Sequence, residues 1–120
     1  MNERDETRLR DMLDAARQAQ SFIAGKTRPD LEANQFLIGF AVVRALTIIG
    51  EAAGKVSLET RAQLPQIAWK DIVGMRNRII HDYNRVNYDV VWSTVVEAIP
   101  ELIAQLEAAL PPETDDSLPE

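Results

Sequence analysis

The sequence predicts an all-α fold, an antiparallel bundle of four long helices with one short helix between the second and third. Three observations carry that reading. Apolar residues recur at steps of three and four through most of the first 110 residues, the period of an amphipathic helix. No convincing run of alternating apolar and polar residues marks a strand, and no glycine-rich phosphate loop is present. Residues 1–110 are expected to form a single domain, since a chain of 120 residues can bury roughly two thirds of its unfolded surface without staples.

The first helix is expected from about Glu3 to Ala24, where Leu9, Met12, Leu13, Ala16, Ala19, Phe22 and Ile23 form one stripe and Gly25 supplies the stop. After a short loop over Lys26 to Pro29, Asp30 reads as the N-cap of a second helix running to about Ala53, with Gly54 beyond it. That helix is the most apolar part of the chain, with Leu37, Ile38, Phe40, Val42, Val43, Leu46, Ile48 and Ile49 leaving little polar surface. It should be central, and a surface that wide calls for partners on more than one side, a second subunit among them. Arg44 and Glu51 lie seven apart on one of its faces; they are either a paired structural feature or support for a functional site.

Ser57 opens a short helix over Leu58 to Gln63, which Pro65 closes. A third long helix begins near Ile67 or Trp69, with Trp69, Ile72, Val73, Arg76, Ile80 and Tyr83 on one stripe, Ile79 beside it, and Trp69 as a core residue. Asn84 to Asn87 reads as a polar turn, with Asn87 capping a last helix from Tyr88 to about Ala109. Pro100 lies inside that helix and removes one backbone hydrogen bond, so a kink is expected near residues 96 to 100. The segment 111–120 is proline-rich and acidic and is expected to be disordered.

Composition excludes several chemistries. There is no cysteine and a single histidine, which rules out disulfides, thiolate metal sites and a cysteine nucleophile, and argues against a zinc centre or other cofactor. A reducing compartment is the simplest home. The N-terminus is charged and no apolar run approaches the eighteen or so residues needed to span a bilayer, so a cytoplasmic protein is expected. The net charge of −6 weighs only weakly against a nucleic-acid partner. Four acids, Glu113, Asp115, Asp116 and Glu120, fall in the last eight residues, whereas Arg76, Arg78 and Arg85 against Asp82 make another region locally positive.

That positive region holds the candidate site. Arg76, Asn77, Arg78, His81 and Tyr83 fall within eight residues. An imidazole can move a proton near neutral pH, a guanidinium can brace charge on phosphate oxygens, and a phenol can donate a hydrogen bond. Together they suit phosphodiester cleavage, although an Arg and a Tyr capping a helix beside an ordinary surface His would leave the same residues in the sequence. Geometry adds a condition. Five residues of helix turn through about 500°, so Arg76 and His81 would point about 140° apart on an unbroken helix. Convergence requires the helix to end near His81, or a pocket between chains.

With these residues in view, the chain resembles the HepT toxin family of the HEPN superfamily, small helical ribonucleases of prokaryotic toxin–antitoxin pairs. The family pattern of Arg, four residues, His, one residue and Tyr is met by Arg76, His81 and Tyr83. Ile49-Gly50-Glu51-Ala52, Pro65 with Ile67 and Trp69, Gly74-Met75-Arg76-Asn77 and Val91-Trp92 agree as well, over about residues 8 to 110. The resemblance implies a HEPN-like homodimer with two motifs facing one cleft, cutting RNA without metal, in a type II or type VII-like toxin–antitoxin pair. His81 would transfer protons, Arg76 would stabilise the transition state, and Tyr83, Asn77 and Arg78 would engage substrate. It also implies an MntA-type nucleotidyltransferase antitoxin that adds AMP to Tyr83. Two other readings stay open: a non-catalytic substrate-binding subunit of a minimal nucleotidyltransferase, and a scaffold dimer whose motif caps a helix.

Overall fold

The computed structural model describes residues 1–82 and 85–112, with the backbone alone for His81 and Asp82. The chain is predominantly helical. Helix α1 spans Glu3–Ile23. It begins at Asn2, whose side chain accepts the Asp5 N–H at 2.7 Å, and Gly25 beyond its end takes φ +74°, a left-handed conformation that glycine adopts without cost. Leu9, Met12, Leu13, Ala16 and Ala19 are buried as their spacing requires, while Phe22 is exposed.

The second helical region is interrupted, not continuous. A single turn, α2 (Asp30–Ala33), is followed by a π-helical turn over Gln35–Gly39 and then by α3 (Phe40–Gly54). Asn34 leaves the helical region at φ −129° and ψ 50°, and its carbonyl accepts the N–H groups of Leu37, Ile38 and Gly39. Asp30 does not stand at the N-cap. Its carboxylate reaches back to the Thr27 N–H at 2.7 Å and the Thr27 hydroxyl at 3.1 Å, as in the backward-reaching half of a capping box.

Helix α3 packs antiparallel on α1. Val42, Ala45, Leu46, Ile49, Ala52 and Ala53 form its buried face against a facing row that includes Ala15, Ala16 and Ala19. The stretch Gln35–Gly54, at mean hydropathy 1.8, is long and apolar enough to cross a membrane by length and composition. The expectation that no apolar run approaches that length is therefore not met. Arg44 and Glu51 interrupt it only on an exposed side, where they approach to 3.9 Å. An ion pair so exposed contributes about 0–1 kcal/mol.

Ser57 caps α4 (Leu58–Gln63) by accepting the Thr60 N–H at 3.2 Å. The expected third long helix is instead two short ones, α5 (Trp69–Val73) and α6 (Met75–Ile79), separated at Gly74. The break re-aims the apolar stripe: Met75 and Ile79 are buried, whereas Val73 and Arg76 are exposed. Trp69 is half-buried and donates from its indole to the Leu64 carbonyl at 3.0 Å, with Arg61 over its ring.

Helix α6 does not run on to His81. It gives way to an antiparallel hairpin of β1 (Ile80–Asp82) and β2 (Arg85–Val86), where a polar turn without strands was expected. Helix α7 (Tyr88–Ser93), a π-helical turn over Thr94–Ala98 and α8 (Ile99–Ala109) complete the chain. The π-helical turn realises the irregularity expected near Pro100, which sits in the first turn of α8. Helix α8 runs antiparallel to α1, tied by Arg17 to Glu107 at 2.8 Å and by Arg10 to the Pro111 carbonyl at 3.0 Å. The rest of the segment expected to be disordered, 113–120, lies outside the described residues.

A buried carboxylate pins the start of α1 to the α3–α4 corner. Asp5, 2% exposed, accepts the Ser57 hydroxyl at 2.6 Å, the Thr60 hydroxyl at 2.5 Å and the Ser57 N–H at 3.0 Å. The Ser57 and Thr60 hydroxyls, helped by the Ser57 N–H and opposed by burial, hold the carboxyl at about 2. A folded-state value below the unfolded one stabilises the fold above the ordinary carboxylate range, and that stabilisation is lost as pH falls toward 2. Its size at neutral pH is about 2 kcal/mol. Asp5→Asn is expected to lower unfolding free energy by that amount in urea titrations at pH 7. The gap to wild type should narrow between pH 4 and pH 2.5; a constant gap would contradict the ionised network.

Candidate active site

The candidate motif begins at the end of α6 and enters the hairpin after it. Arg76, Asn77 and Arg78 are all exposed on α6. The last helical hydrogen bond runs from the Ile80 N–H to the Arg76 carbonyl, and Ile80 has already turned to extended backbone at φ −90° and ψ 109°. The helix thus ends two residues before His81, which satisfies the geometric condition that the Arg76 to His81 spacing imposes.

His81 occupies an irregular position in the hairpin. Ile80 pairs with Val86 and Asp82 with Arg85, so the two steps from Ile80 to Asp82 face one step on β2. His81 is the extra residue of a β-bulge, a device that breaks the ladder locally and recurs beside active sites. The side chain of His81, and the whole of Tyr83, lie outside the described residues.

The hairpin is closed by Asn87. Its N–H donates to the Ile79 carbonyl at 2.7 Å, and its side chain caps α7 by accepting the Val90 N–H at 3.2 Å. A second tie comes from Arg28, which donates to Asp89 in the first turn of α7 at 2.8 Å and to Glu32 on α2 at 2.7 Å. Glu32 and then Asp89 raise the affinity of this guanidinium for its proton.

Beside the hairpin runs a groove of about 520 Å³ lined by Glu32, Gln35, Phe40, Arg85, Val86 and Tyr88. Tyr88 is buried, which raises its phenol pKa, and it presses on Gly39. A Cβ at Gly39 would lie 2.7 Å from the Leu31 carbonyl oxygen and 2.9 Å from the Tyr88 hydroxyl, so only glycine allows this approach. Arg76, Arg78 and Arg85 make no ion pair among the described residues. Three cations are therefore available around the bulge to an anionic ligand.

Comparison with known proteins identifies the family. Residues 12–109 match the family described as "Ribonuclease HepT-like". The chain belongs to the HepT-like ribonucleases. It is 35% identical over 103 residues to a protein of Methanocaldococcus jannaschii named "Putative RNase", covering 82% of this chain and 90% of that one. A "Putative RNase" of Caldanaerobacter subterraneus is 44% identical over 70 residues, 58% of this chain and 62% of its own. The "Probable ribonuclease HepT" of Thermococcus cleftensis is 43% identical over 68 residues, 57% of this chain and 62% of its own. With these last two, the chain matches just under two thirds of the relative's length. No solved structure matches the chain significantly.

Within this HepT-like chain, the structure unites Arg76, Asn77 and Arg78 at a helix end immediately before the bulge. Arg85, Tyr88 and Phe40 border the same region; the sequence offered only the charge of Arg85 as a signal, because the groove is built by tertiary contact. Removal of the Asn87 cap should cost about 1 kcal/mol. Asn87→Ala is therefore expected to lower the melting temperature and to accelerate amide exchange at Val90 in particular. Unchanged exchange there would show that the cap does not hold the junction.

Proposed function

We propose that this protein is a metal-independent endoribonuclease toxin that cleaves RNA through its Arg76, His81, Tyr83 motif. The observation that supports the reading is Arg76 on a helix that ends just before the irregular hairpin position of His81, in a chain of the HepT-like ribonucleases. In the proposed reaction the RNA 2′-oxygen bonds to phosphorus as its proton passes to a base. The bond from phosphorus to the 5′-oxygen breaks as an acid protonates that oxygen, leaving a cyclic phosphate and a 5′-hydroxyl. His81 transfers the protons and Arg76 stabilises the charge on the phosphorane. Tyr83, Asn77 and Arg78 bind the strand. DNA, lacking the 2′-hydroxyl, is not cut.

One imidazole per chain cannot be base and acid at once, and a two-fold dimer supplies two. Support for that assembly comes from Phe36, Leu37 and Phe40, which are 74%, 69% and 51% exposed. Phe36 and Phe40 meet edge to face at 5.4 Å, and Phe40 also borders the groove beside the hairpin. Burying this apolar patch against its own copy would bring the two hairpins toward one cleft. A nucleotidyltransferase antitoxin of the MntA type would neutralise the enzyme in the cytoplasm by placing AMP on Tyr83, adding bulk and negative charge where RNA enters.

Purified protein is expected to cleave total RNA in EDTA. His81→Ala, folded by circular dichroism, should fall by about 10²–10⁴-fold. Equal cleavage by both proteins, or cutting of an all-deoxy strand, would overturn the mechanism. Phe40→Glu is expected to shift the protein from dimer to monomer in sedimentation experiments and to lose cleavage with it. An active monomer would remove the dimer from the reading.

A further inference from the structure

A second cavity, separate from the groove beside the hairpin, opens between α5–α6 and α8. It has a volume of about 200 Å³ and an apolar floor of Ile49, Ile72, Met75 and Leu102. Asp71 and Arg78 stand on its rim, and neither has a hydrogen bond or ion pair among the described residues. They stand on the two short helices to either side of the break at Gly74. Gln105 and Glu101 form the opposite wall, with the Gln105 amide donating to the Gln66 carbonyl at 2.9 Å.

The dimensions and charges narrow what can enter. Sites for drug-sized ligands run to roughly 300–1,000 Å³, so this cavity suits one flat ring system and not a whole nucleotide. Asp71 and Glu101 outnumber the single cation, which repels a phosphate from the interior. A carboxylate at the mouth accepts hydrogen bonds only. Among the RNA bases, guanine alone presents two adjacent donors, N1–H and the N2 amino group, to match a carboxylate. Arg78 lies toward the end of the motif helix, two residues before Ile80, where it can meet the phosphate attached to such a base.

We propose that this cavity is a guanine-binding subsite, with Asp71 reading the base edge, the apolar floor packing on its face and Arg78 holding the adjoining phosphate. The proposal rests on the ribonuclease reading for its biological meaning, but the cavity can be tested apart from cleavage. Asp71→Asn removes the carboxylate charge and half of its acceptor capacity. Ala98→Trp fills the cavity from its exposed rim.

Guanosine should be titrated into the full chain while the methyl signals of Ile72, Met75 and Leu102 are followed by NMR. Saturable shifts are expected with guanosine and weaker ones with adenosine or cytidine, and both variants should abolish them while melting close to wild type. Shifts absent from wild type, or unaltered in both variants, would overturn the subsite. In parallel, sequencing of cleavage ends should reveal guanine enriched at one fixed position beside the cut, with a preference relaxed about tenfold in Asp71→Asn. Cleavage with the same base distribution in all three proteins would defeat the subsite and leave the ribonuclease reading standing. Guanosine binding by a protein that cuts no RNA would do the reverse.

Discussion

The constraint on which the fold turns is the breadth of the apolar surface between Gln35 and Gly54. One neighbour cannot cover it. Helix α1 takes one side, with Ala15, Ala16 and Ala19 of α1 and Ala45, Ala52 and Ala53 of α3 among the buried residues, and small side chains let two backbones approach. Another side receives α5, and Gly50 makes that possible: a Cβ there would lie 3.1 Å from the Ile72 carbonyl oxygen. Cover fails at the N-terminal end, where Phe36, Leu37 and Phe40 stay exposed. The uncovered end adjoins the hairpin, so the packing that builds the core also determines where a partner would be recruited.

Much of this was readable from residues. The helical character of the chain, the caps at Ser57 and Asn87 and the stop at Gly25 each follow from a local rule, and each rule acts on neighbours in sequence. The breaks at Asn34 and Gly74 were not, because their causes are distant. Gly39 must admit Tyr88 from another helix, and α5 must dock on Gly50 before α6 can turn its own face inward. Helical periodicity averages over such single-residue events.

The candidate site divides in the same way. The spacing from Arg76 to His81 required, for the motif to converge, either a helix ending near His81 or a pocket between chains, and α6 ends at Ile79. A strand of three residues facing one of two leaves no alternation to detect, so the bulge at His81 was invisible. Asp71 carried no signal at all: an acid on a surface helix is ordinary until a cavity floor of Ile49 and Leu102, from two other helices, appears beside it.

The grouping of cations at the end of α6 and on the hairpin has an electrical consequence. Arg76, Arg78 and Arg85 gather around the hairpin. A molecule of net charge −6 thereby carries a cationic patch beside its motif helix. In an external field such a body experiences torque before it experiences attraction. A polyanion drifting past would turn the protein motif-first.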